Sequence, residues 1–223
     1  MIELHLFLGM TSRDLPLGLR RVAFNTVVWR YGCPMDLVSW AHDIAADRLA
    51  QALPRRWAHV LGVGHRARLT EPLFSAENDL LVSAAVLHDV GYAPDLAHTG
   101  FHPLDGARYL KKLEAPARLC ALVAHHSCAY REAELRELSA ELAEWTDEET
   151  PLRDALWWAD MTTSPDGETV SFERRVREIQ ERYGPDDVVT FFIRQAKPEL
   201  RAAVERTEER LRAAGIAFES GLS

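Results

Sequence analysis

At 223 residues, 47% hydrophobic and 27% charged, the chain has the size and composition of one folded domain with a sizeable core. A net charge of -8 argues against a nucleic-acid polymer as partner, which needs a basic face, but leaves room for a small anion beside a bound cation. Three cysteines (Cys33, Cys120 and Cys128) are too few for a disulfide framework, and no segment is long and apolar enough to span a bilayer, so reduced thiols, no membrane and a cytoplasmic setting are expected.

Residues 1–34 are broken by Gly9, Pro16, Gly18, Gly32 and Pro34 and show no sustained period. They read as an N-terminal extension of open status: a peripheral arm, or an upstream stretch with Met35 as the start. Helical periodicity then dominates residues 35–223. The first helix runs over 36–53, with Leu37, Trp40, Ile44 and Leu49 on one face and Pro54 ending it. A second covers 55–69. The third, in NDLLVSAAVLHDVGY, is apolar nearly all round and belongs in the centre of a core. Helices follow over 104–113 and 116–126. Residues 131–144 are charged and surface-facing, and 152–161 are apolar and aromatic, closed by the turn Ser164-Pro165-Asp166-Gly167. Two more helices, over 172–183 and 198–214, finish an all-α single domain. The last has a solvated Glu/Arg face, which leaves room for a homo-oligomer.

The chemistry sits where histidine and aspartate meet apolar helix. His88-Asp89 follows Leu80–Leu87 directly, and an ionisable pair there is costly to desolvate unless a hydrogen-bond network or a metal satisfies it. His42-Asp43 is the internal control: the same dipeptide, but among charges and off the apolar face, and so read as solvated. What distinguishes His88-Asp89 is its company of His59, His102, His125, His126 and Asp160, each at or near an apolar helical run. Imidazoles with carboxylates suit Mn, Fe, Co, Ni or Zn better than calcium, which prefers all-oxygen shells.

The order His59, His88-Asp89, Asp160 on helices resembles the HD superfamily of metal-dependent phosphohydrolases, with VLHDVGY similar to its central motif and WWADMTTSPDG to its terminal aspartate segment. The similarity covers roughly 36–183. It implies an HD-type helical bundle with His59, His88, Asp89 and Asp160 as metal ligands. FHPLDGARYL and VAHHS further resemble the second-metal segments of two-metal members such as the symmetrical dinucleoside-tetraphosphate hydrolases. In that pattern Asp89 bridges two ions, and His102 with one or both of His125 and His126 holds the second. The resemblance implies hydrolysis of a small phosphate ester, a nucleotide or related metabolite, by activated water. Asp89 would orient the water and a free His125 or His126 would protonate the leaving oxygen.

Departures from the family pattern are specific. Tyr92 stands where many members carry a phosphate-contacting lysine, which leaves Arg66, Arg108, Lys111 and Lys112 as substitutes. The double histidine lacks the flanking residues of cyclic-di-GMP phosphodiesterases, and no glutamate-aspartate pair follows the central motif as in alarmone hydrolases. Two alternatives remain open at this point: a mixed-valent di-iron oxygenase on the same scaffold, and a non-catalytic nucleotide-binding or regulatory module. Trp157 and Trp158 read as core, with one of them available to wall the pocket.

Overall fold

A computed structural model describes residues 36–222, and the readings made for residues 1–34 and Cys33 lie outside them. Among the described residues there are eleven α-helices and no strand beyond one isolated bridge, Thr163 to Thr169, so the all-α expectation holds. In chain order they are α1 Leu37–Ala45, α2 Pro54–Arg68, α3 Glu71–Phe74, α4 Asn78–Leu87, α5 His102–Lys112, α6 Ala117–Ala124, α7 Ala129–Leu135, α8 Ser139–Leu142, α9 Pro151–Met161, α10 Phe172–Tyr183 and α11 Val188–Ala213. A π-helical turn, Ala46–Ala50, extends α1, and 3₁₀ turns lie at Val90–Tyr92 and His126–Cys128. None of the described helices is long and apolar enough to cross a membrane.

Two helices form the centre. Apolar all round, α4 buries Leu81 through Leu87 between α1, α2, α6 and α9. In α9 every residue after Pro151 is buried, with Trp157 and Trp158 fully enclosed. Its start is set by Thr150, whose side chain caps the helix, followed by proline at the first helical position. Both helices end beside α2. The ionisable residues at their C-terminal ends are thereby delivered to one place.

Two boundaries differ from the sequence expectation. The last helix begins at Val188, capped by Asp187 Oδ1 accepting from the Val189 N–H at 2.8 Å, and runs through Pro198. A proline inside a helix costs about 3 kcal/mol. The continuous helix buries Phe192 and Ile193 before the proline and Leu200 and Val204 after it, each contributing roughly 1.5–3 kcal/mol, so packing on α9 and α10 outweighs the defect. Residues 131–144, expected at the surface, instead form α7 and α8 broken at Glu137 (φ 60°), and they bury Glu132, Ala133 and Leu142.

Two glycines let backbones meet where the site is assembled. A side chain at Gly91 would strike the His102 carbonyl and the Gly106 N–H, so this glycine admits α5 against the turn after α4. A side chain at Gly62 would strike the backbone of Gly167, whose own φ of 84° favours glycine, and this contact seats α2 on the turn after α9. We expect Gly91→Ala and Gly62→Ala each to destabilise the fold by about 1–3 kcal/mol. Thermal melts should show this, and unchanged midpoints would contradict the packing argument.

Candidate metal centre

The structure brings together His59 from α2, His88 and Asp89 from the end of α4, His102 from the start of α5, His126 beyond α6 and Asp160 near the end of α9. All but His102 are buried, from 1% exposure at His59 and His88 to 6% at Asp160. His59 Nε2 lies 3.1 Å from Asp160 Oδ1 and 3.8 Å from Asp89 Oδ2, and His88 Nε2 lies 3.4 Å from Asp89 Oδ2. On the other side of the carboxylate, His102 Nε2 lies 3.2 Å from Asp89 Oδ1 and 3.1 Å from His126 Nε2. Asp89 thus turns one oxygen to each histidine pair.

The second nitrogens explain why these rings fit a metal. Nδ1 of His59 faces the Ser164 carbonyl at 3.0 Å, that of His88 the Ala85 carbonyl at 2.7 Å, and that of His126 the Val123 carbonyl at 2.7 Å. A carbonyl only accepts, so each Nδ1 carries the proton, and each neutral ring directs the lone pair of Nε2 into the cluster. Lone pairs facing carboxylate oxygens repel unless a cation lies between them. His88 Nε2 is moreover buried with no hydrogen-bond partner. Donors on a common ion at about 2.1 Å stand about 3.0–3.4 Å apart, which most of these separations match. Two buried triads can hold an ion: His59, His88 and Asp160, and His88, Asp89 and His126.

His125, expected as ligand and proton donor, is not brought into this cluster. Its Nε2 lies 2.8 Å from the Trp145 carbonyl, and its own carbonyl accepts from Trp157 Nε1 at 3.0 Å. Adjacent residues leaving a helix point about 100° apart, so only one of the pair can face the site. The turn that follows puts Ser127 (φ 48°) and Cys128 (φ 60°) in the left-handed region, a strain of about 1–3 kcal/mol each. That turn sets the Ser127 hydroxyl 2.5 Å from Asp160 Oδ2, which leaves Oδ1 for the histidine side.

Two arginines complete the electrostatics. Arg56 donates to Asp89 Oδ2 at 2.6 Å and lies 4.0 Å over the Tyr92 ring, which in turn stacks on His102. Arg175 lies 3.4 Å from Asp160 Oδ1. Burial opposes ionisation of Asp89, but the Arg56 guanidinium outweighs it and holds the carboxyl well below the usual carboxylate range. Asp160 is lowered likewise, with the Arg175 guanidinium beside it opposing the effect of burial. Neither arginine was singled out by the sequence. Arg56 stands three residues before His59 on the same helix face, a readable signal; the burial of Arg175 is tertiary and left none. The cations proposed from sequence lie elsewhere. Arg66 sits over Trp158 and bonds the Glu219 carbonyl, and Lys111 pairs with Glu144 at the surface. Arg108 and Lys112 do not line the pocket over the cluster. His42 and Asp43 are exposed, in keeping with their reading as a solvated pair.

Burial, with Arg175 nearby, lowers the His59 pKa, and burial beside His88 and His102 pushes His126 down to about 3. Folding therefore favours the neutral rings: their stabilisation is complete above the ordinary value of 6.5 and is lost as pH falls below it, for His126 down to about 3. Metal-free protein should lose thermal stability across that window, and a divalent transition metal at about a hundredfold its Kd should raise the midpoint by about 5–10 °C at neutral pH and far less in acid. A melt insensitive to both pH and metal would contradict this.

A family model described as HD domain matches residues 56–161, from Arg56 through Met161, which spans every residue of the cluster. No curated protein and no solved structure shows a significant match. Over residues 56–161 the chain is thus similar to HD domains, a superfamily made up mostly of metal-dependent phosphohydrolases.

Proposed function

We propose that the chain hydrolyses the phosphate ester of a small molecule, nucleotides included in the class to be tried, with two divalent transition ions (Mn, Fe, Co, Ni or Zn) in the cluster. His59, His88 and Asp160 would hold one ion, His102 and His126 the other, and Asp89 both. The observation that carries this reading is the Asp89 carboxylate, set between two groups of histidine nitrogens at 3.2–3.8 Å in a pocket that also contains buried arginine.

Bound there, the ions would bring the pKa of water near neutrality and draw charge from a phosphoryl oxygen. The residues do the rest. Asp89 and Asp160 are already matched by Arg56 and Arg175, so each added ion leaves positive charge that an anionic substrate neutralises. Arg56, held by Asp89 and the Tyr92 face, supplies the cation that lysine would supply at position 92. Ser127 fixes Asp160, and the carbonyl bonds fix the three rings. Water adds to phosphorus, the bond from phosphorus to the leaving oxygen breaks, and alcohol and inorganic phosphate depart with the protons of that water. His126, kept neutral with Nδ1 tied to Val123, and His125, turned to Trp145, are poorly placed to protonate the leaving oxygen; solvent serves instead.

The test is phosphate release from p-nitrophenyl phosphate and a panel of nucleotide, sugar and alkyl phosphates after reconstitution with each metal, with oxygen uptake followed in parallel. Release should require metal and consume no oxygen. Asp89→Asn should abolish it, and Arg56→Met should lower kcat/KM by about 10–100-fold while the metal content stays unchanged. Product formed in proportion to oxygen consumed would replace this reading with the di-iron oxygenase one, and inactivity with every metal would remove it.

A further inference from the structure

The pocket over the metal cluster has a second face made by residues that follow the HD match. Ile179 of α10 and Val189, Phe192 and Ile193 of α11 line it, and Asp89, His102 and Arg56 line the same pocket. The wall is apolar. Of the polar side chains that share the pocket, Ser127 is bonded to Asp160 Oδ2, Glu132 accepts from Arg136 Nε at 2.7 Å, the Tyr183 hydroxyl is bonded to that of Tyr92 at 3.1 Å, and the exposed Arg182 lies 3.5 Å from Glu178. A hydroxyl-rich sugar set there would give up water and find few groups to replace it, at a loss of about tenfold in affinity for each hydroxyl. An alkyl or aryl group would gain by the same desolvation.

Building on the phosphohydrolase reading, we infer that the substrate is an amphiphilic organic phosphate. Its phosphate lies at the Arg56 end, and an apolar aliphatic or aromatic body lies along Ile179, Val189, Phe192 and Ile193. The charge at one end and the apolar surface at the other set the direction of binding. The leaving group is the apolar alcohol, released with one proton from water as inorganic phosphate forms. Specificity then comes from the helical hairpin α10–α11, and the HD match supplies the chemistry.

The experiment uses the full chain reconstituted with metal and the n-alkyl phosphates from methyl to octyl, with phenyl phosphate, glycerol 3-phosphate and adenosine 5′-monophosphate. kcat/KM should rise about three- to fourfold per methylene over roughly the first two methylenes and then level off, once the exposed part of the wall is covered. Glycerol 3-phosphate and the nucleotide should fall about a hundredfold or more below hexyl phosphate. Val189→Asn, at a half-buried position, should flatten this series, and Phe192→Ser should do the same if it folds. Calorimetric binding of octylphosphonate and methylphosphonate, neither hydrolysable, supplies a readout independent of turnover. Hydrolysis with no chain-length dependence, or with the nucleotide preferred, overturns the inference and leaves the hydrolase reading standing. No hydrolysis of any ester, with octylphosphonate still bound at least tenfold tighter than methylphosphonate, keeps the amphiphile site and removes the hydrolase. Equal binding of the two phosphonates without hydrolysis overturns both.

Discussion

The carboxylate of Asp89 is 3% exposed, and an ion so far from water costs several kcal/mol unless its surroundings repay the lost hydration. Here repayment comes from Arg56 at 2.6 Å on one oxygen and from imidazole nitrogens on both. His59, His88 and His126 can contribute only through a cation, because their protons are committed to backbone carbonyls on the far side of each ring. The interior thus carries an acceptor-rich cluster that protein groups compensate in part. Much of the surrounding architecture serves to hold that cluster in place.

Two apolar helices of different sequence position, α4 and α9, end side by side because each is too hydrophobic to lie anywhere but the centre. Their last turns bring His88, Asp89 and Asp160 together, and α2 lays His59 across them. The helices are pinned at close backbone approaches, Gly62 on Gly167 and Gly91 on His102, which fix the rings along with their carbonyl partners. Strain at Ser127 and Cys128 is tolerated in the same place, and its visible return is the hydrogen bond that orients Asp160.

The all-α fold and the central ligands were legible in the sequence because both depend on local pattern: an all-round apolar helix ending in His-Asp, and aromatic helix ending in aspartate. The start of α11 was not, since proline is a local signal and the burial of Phe192, Ile193, Leu200 and Val204 that overrides it is tertiary. Adjacent His125 and His126 could not be told apart, because their directions are set by the left-handed turn after them. The same limit hid Arg175, whose place depends on how α10 packs against α9. Arg56 is legible in the sequence, three residues before His59 on the same helix face.

Metal content per chain tests the central claim most directly. Elemental analysis after reconstitution and gel filtration should give about two equivalents of transition metal in the native protein and in His125→Ala, about one in His102→Ala, and little in His88→Ala or Asp89→Ala. No bound metal in the native protein, or loss of metal in His125→Ala with full retention in His102→Ala, would contradict the account of a buried centre built around Asp89.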